Sequence, residues 1–183
     1  MKNNVIILLS VFVSLVTFNV QALEQYLTTE QFIAEVFDEN APKAHTLWLN
    51  KEMVKQADKI LSHAPFQLRQ RYWKVNNTSA WILEEIGKEE PITAGFVVRD
   101  GKILQARILT YRESRGGEVR YPAFLKQFQG VELRTDYFLN RNIDGISGAT
   151  LSVNAMNRMA RLALYYDQLM HQSDEQEKIK HVD

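Results

Sequence analysis

The chain has no cysteine among its 183 residues. That absence excludes disulfides, thiol catalysis, thiolate metal sites and haem attachment through a C-x-x-C-H motif. Any redox role therefore needs a cofactor held in some other way. Charge of one sign is lacking too. Lys and Arg number 22, Asp and Glu number 22, and the formal net charge is zero. No global field argues for a nucleic-acid partner. Glycine and proline are sparse, at 8 and 4. There is no glycine-rich phosphate loop of the Walker or dinucleotide kind, no low-complexity linker and no internal repeat. The four histidines, His45, His63, His171 and His181, have no metal-ligand spacing. No Ser–His–acid set or close carboxylate pair marks an independent hydrolase.

What the sequence does have begins at its start. Met1 to Asn4 carries one lysine, Val5 to Val20 is apolar apart from small polar residues, and Val20-Gln21-Ala22 has the small-x-small pattern of a cleavage site. This reads as a secretory signal peptide cleaved after Ala22. An uncleaved membrane anchor is the alternative, although the run is short of the ~20 residues of a spanning helix. Hydrophobic residues make up 45% of the chain, enough for an ordinary core.

The periodicity then predicts four regions: the signal peptide over 1–22, an N-terminal helical segment over 23–65, a main domain over 66–170 and a polar tail over 171–183. Thr28 to Asp38 reads as a helix capped by Thr28 or Thr29, and a second helix starts near Asn50 and stops before Pro65. Phe66 to Val75 and Ser79 to Ile86 read as a hairpin about Asn76-Asn77, whose sequons overlap at Asn76 to Ser79. Pro91 to Arg99 and Lys102 to Thr110 flank Asp100-Gly101, a strong hairpin signal because that tight turn needs positive φ. Arg112 to Arg120 is a charged loop, Tyr121 to Phe128 a short helix with Pro122 in its first turn, and Val131 to Leu139 a further strand. A long helix without glycine or proline runs from about Thr150 to Met170, and Ser173 to Asp183 reads as a frayed tail. The fold class expected is α+β: an antiparallel sheet packed with helices.

The chemistry concentrates in DGISGATLS, Asp144 to Ser152. One reading is a capped turn, since Ser and Thr oxygens accept the orphan N–H groups of a helix start. The other reading uses the same geometry. Those N–H groups and the helix dipole favour a phosphate, and Gly148 and Ala149 leave little bulk around it. A hydroxyl at Thr150 offers an oxygen on which a phosphate could be esterified.

This stretch resembles the flavinylation motif of the FMN-binding domain family, which includes the C subunit of the sodium-pumping NADH:quinone reductase and the G subunit of the Rnf complex. The family pattern of acid, two variable residues, Ser or Thr, small residue, Ala, Thr or Ser, and a further hydroxyl two positions on is met by Asp144, Ser147, Gly148, Ala149, Thr150 and Ser152. Gly95 to Thr110 resembles the family's glycine-led strand, turn and strand, Glu113 the acid after it, and Phe124 to Gly130 the short helix. The likeness covers roughly residues 71–170 and is weaker before Pro91. It implies FMN joined by a phosphoester to Thr150, attached by a separate FAD-dependent flavin transferase with a metal ion. Together with the signal-peptide pattern, it implies a periplasmic or otherwise extracytoplasmic electron-transfer flavoprotein rather than a stand-alone enzyme, with a redox partner protein at the membrane. The relatives' acid-threonine-x-glycine-x-glycine loop beside the ring is replaced here by Glu113-Ser114-Arg115-Gly116-Gly117-Glu118. Glu113, Arg115 and Glu118 are the ring-side candidates. Tyr121 is the preferred stacking aromatic over Tyr111, Trp73 and Trp81, whose ordinary role is core packing. Arg112, Arg115, Arg120, Arg134 and Arg141 could contact a phosphate by their charge alone, although arginines mixed with acids in loops are more often solvated. A non-redox scaffold of the same fold and noncovalent FMN binding remain the alternative functions.

Overall fold

A computed structural model describes residues 24–38 and 40–180. The apolar run before residue 23, its cleavage pattern and His181 lie outside the described residues. In chain order the elements are β1 (Glu24–Gln25), α1 (Thr29–Val36), β2 (His45–Trp48), α2 (Lys51–Leu61), β3 (Arg69–Val75), β4 (Thr78–Ile86), β5 (Pro91–Arg99), β6 (Lys102–Tyr111), α3 (Pro122–Leu125) and α4 (Thr150–Lys180). The strands form one six-stranded antiparallel sheet in the order β1-β6-β5-β4-β3-β2. The α+β reading holds.

Side chains alternate across this sheet, and helices cover both faces. On one face Ile92, Ala94, Phe96 and Val98 of β5 join Ile103, Ala106 and Ile108 of β6 beneath α2 and α4. On the other face Val97, Leu109, Trp73 and Ala80 meet Phe32 and Ile33 of α1. Gly95 makes that second contact possible: a Cβ there would stand 2.5 Å from Phe32 Cε1. Phe32 is fully buried, so truncation to alanine costs about 3–5 kcal/mol. Both hairpins form as the sequence indicates, and Asp100 and Gly101 take φ of 51° and 73° at the tighter one. Thr28 caps α1 in a reciprocal capping box with Gln31, and Asn50 caps α2.

The structure differs from the sequence reading in four places. Val131 to Leu139 is no strand. It folds back on itself, with Tyr137 at φ 63° and the Phe138 N–H on Asp136, leaving only the bridges Lys102–Glu132 and Leu133–Leu139. The short helix after Tyr121 is split into α3 and a 3-10 turn over Lys126–Phe128. The last helix runs on to Lys180, because Gln, Glu and Lys after residue 170 are good helix formers and Asp174 is held by Lys74 of β3. The segment before residue 66 also supplies more than helices: β1 and β2 are the two edges of the sheet.

Candidate functional site

The site is assembled where β6 ends and α4 begins. Tyr111, the last residue of β6, is buried. Its hydroxyl lies 2.5 Å from the Arg115 carbonyl and 3.1 Å from Ser152 Oγ. A phenol has one proton, and the carbonyl can only accept it, so Ser152 donates to the Tyr111 oxygen. Burial pushes the Tyr111 hydroxyl up from its ordinary range, against the lowering effect of the Ser152 bond. It stays a protonated donor at neutral pH. The 112–116 loop is thereby folded against the first turn of α4.

Gly116 is required at that contact. Its φ is +82°, and a Cβ there would meet Ser152 Oγ at 3.0 Å, Tyr111 Oη at 3.0 Å and Ala149 Cβ at 3.2 Å. Ala149 is itself buried, so a small residue at that position of the motif is a packing requirement of this junction.

No hydroxyl of the motif caps α4. The Val153 N–H bonds to the Ala149 carbonyl at 3.0 Å, which puts Ala149, with no side-chain acceptor, at the cap. The N–H groups of Thr150, Leu151 and Ser152 are therefore without intrahelical acceptors. Thr150 is exposed, and neither its hydroxyl nor that of Ser147 makes a hydrogen bond among the described residues. Gly148, at φ +80°, turns the chain into the helix and has open space around it.

These residues wall a cleft of about 200 Å³, lined by Gly148, Ala149, Thr150, Leu151 and Ser152 on one side and by Lys88, Glu89, Glu113, Ser114 and Arg115 on the other. Glu113 is a structural wall. Its Oε1 accepts the backbone N–H groups of Lys88, of Glu89 at 2.8 Å and of Glu90 at 3.1 Å, clamping the β4–β5 connection. The cleft falls below the ~300–1,000 Å³ of pockets that enclose a drug-sized ligand. The open N–H groups of the first turn of α4 and the Arg115 guanidinium are the groups that would hold the phosphate of FMN here.

Of the residues singled out from sequence, Thr150, Ala149, Gly148, Ser152 and Glu113 line this cleft, while Asp144, Ser147, Glu118 and Tyr121 do not. The Asp144 N–H donates to Gln127 Oε1 at 2.7 Å, and its carboxylate is exposed. Tyr121 is exposed beside Arg120, whose guanidinium lies 5.6 Å from its ring and 5.2 Å from that of Tyr26. Trp81 is fully buried against Tyr72 and Tyr166, and Trp73 lines a groove with Phe66 and Arg71 that shares no residue with the cleft. Arg112 is spent on the Pro91 carbonyl and Thr93. Lys88 and Glu89 were missed by sequence reasoning; nothing marks a β-turn as the far wall of a site 60 residues away. Among the described residues, no three His, Asp or Glu side chains come together to hold a metal.

Residues 87–165 match the family model of the FMN-binding domain. This segment belongs to that family. The matched segment begins at the β4–β5 connection, ends within α4 and contains every residue that lines the Thr150 cleft. It is a flavin-binding module with FMN as its cofactor. The match is to the family as a whole and does not single out the respiratory-complex subunits. A search of curated proteins returned no match to the chain.

Proposed function

We propose that Thr150 carries FMN through a phosphoester bond and that the protein is an exported electron carrier. The observation that supports this most is the Thr150 hydroxyl: exposed, free of hydrogen bonds, on the wall of the cleft and at the first residue of α4. The reaction proposed is transfer of the FMN half of FAD. A bond forms between Thr150 Oγ and the riboflavin-side phosphorus, the bond from that phosphorus to AMP breaks, AMP leaves, and the hydroxyl proton passes to a base of the transferase or to solvent. The chain's own part is to present the oxygen. The open N–H groups of residues 150–152 and the helix dipole favour the phosphate charge, and Arg115 adds a cation. The bound flavin supplies reversible one- and two-electron chemistry.

Export is supported by the apolar run over Val5 to Val20 and the Ala22 cleavage pattern. A covalent bond suits that location, where a dissociated cofactor is lost by dilution. The redox partner proposed is a protein at the membrane, and the maturation partner is an FAD-dependent flavin transferase. Among the described residues no helix is long and apolar enough to cross a membrane. The test is absorbance in the flavin bands after denaturation and filtration, on protein matured with the transferase. Colour retained by the protein supports the reading. Colour recovered wholly in the filtrate means noncovalent FMN, and colourless protein means a module without flavin.

A further inference from the structure

A second cleft, of about 660 Å³, opens beside α4 and shares no residue with the Thr150 cleft. Four guanidinium groups line it, those of Arg134, Arg141, Arg158 and Arg161, against one carboxylate, that of Asp136. Helical spacing explains the placement. Thr150, Asn154, Arg158 and Arg161 recur at intervals of three and four and share a face of α4. That polar stripe runs from the threonine into the second cleft. The folded-back segment after Val131 supplies the facing wall.

These cations are only partly used by the protein. Arg134 bonds to Asp136 at 2.6 Å. Arg158 gives Nε and Nη2 to buried Glu85 at 3.0 and 2.8 Å and Nη2 also to the Ile86 carbonyl at 3.2 Å, and its Nη1 has no partner among the described residues. Arg161 gives Nε to the Tyr137 carbonyl at 2.6 Å and lies 4.5 Å from the Phe138 ring, with neither Nη group hydrogen-bonded among the described residues. Arg141 makes no hydrogen bond or ion pair among the described residues. Burial pulls the Arg161 guanidinium down, Asp136 offsets part of this, and the like charge of Arg158 adds to it. A bound anion relieves that repulsion.

We propose that this cleft binds a small molecule carrying two neighbouring oxyanion groups, of the diphosphate or dicarboxylate kind. Arginine forks on opposite walls suit two oxyanions, each held by paired N–H groups. The volume is that of a small-molecule site. The proposal does not depend on a flavin at Thr150.

Calorimetric titration of the full chain at constant ionic strength tests it, with sodium pyrophosphate and sodium succinate as probes and sodium acetate as the single-charge control. Saturable binding about tenfold or more tighter than acetate is expected for at least one probe. Pyrophosphate alone assigns a phosphate ligand, and succinate alone a carboxylate. Arg141→Gln, at an exposed side chain with no partner, should weaken binding about tenfold with an unchanged circular dichroism spectrum. Arg107→Gln, on the opposite face of the sheet, and Thr150→Ala should bind as the native protein. Saturation by neither probe, native affinity in Arg141→Gln, or loss of binding in Thr150→Ala would overturn the proposal.

Discussion

The hydroxyl oxygens of Tyr111 and Ser152 lie 3.1 Å apart, and this contact ties the end of β6 to the first turn of α4. Because Tyr111 also donates to the Arg115 carbonyl, one phenol fixes three segments of the cleft. Tyr111→Phe leaves a buried hydroxyl and a carbonyl without their partner. The expected cost is about 1–3 kcal/mol, read as a fall in Tm by circular dichroism. Ser152→Ala should cost less, since it leaves the phenol bonded to the carbonyl.

Gly116 and Gly145 make a contrasting pair. Gly116 combines a positive φ with three close neighbours, whereas a Cβ at Gly145 meets nothing within 4 Å. Gly116→Ala should destabilise by about 1–3 kcal/mol and lower the yield of flavin-bearing protein. Gly145→Ala should leave the melting temperature within about 1 °C of native.

The pattern of what was legible in the sequence follows from the range of the interactions. Asp100-Gly101 announced its hairpin because turn chemistry is local. The start of α4 was legible because Gly148 and Ala149 precede a run free of Gly and Pro. Of the nine residues Asp144 to Ser152, only Gly148 to Ser152 line the candidate cleft; the motif marks adjacent positions, not which of them face it. The edge strands β1 and β2 were not legible. Two and four residues carry too little periodicity, and they are strands only because β6 and β3 offer them backbone partners. The role of Glu113 was hidden for a related reason: its N–H donors lie 23–25 residues away. Val131 to Leu139 looked like a strand by composition, and the turn at Asp136 and Tyr137 overrode it.

A buried carboxylate outside the site sets a pH dependence. Glu85 is 1% exposed and holds both Arg158 and His63, the latter at 3.0 Å. Burial pulls the His63 imidazole down, but its bonds to Glu85 and the Ala64 carbonyl, with the Glu85 charge, raise it overall. A raised histidine contributes stability that is fully present below its unfolded value, ~6.5, and is lost as pH rises through the folded one. The native protein should therefore lose melting temperature across about pH 6 to pH 8. His63→Gln should show a flatter profile there and the larger deficit at the acid end.

Ser79 is a single hinge of a buried network. It accepts from the Trp81 indole at 2.7 Å and donates to Asp167 at 2.5 Å. Ser79→Ala strands both partners and should cost about 2–4 kcal/mol in denaturant unfolding. A loss below about 0.5 kcal/mol would show that neither bond matters to the fold.

The most direct measurement is peptide mapping by mass spectrometry of protein matured with an FAD-dependent flavin transferase, beside Thr150→Ala prepared in the same way. The account predicts that the peptide holding Thr150 gains the mass of one FMN less water, with fragment ions placing the gain on that residue, and that the variant gains nothing. An unmodified Thr150 peptide, or the same gain in the variant, would contradict it.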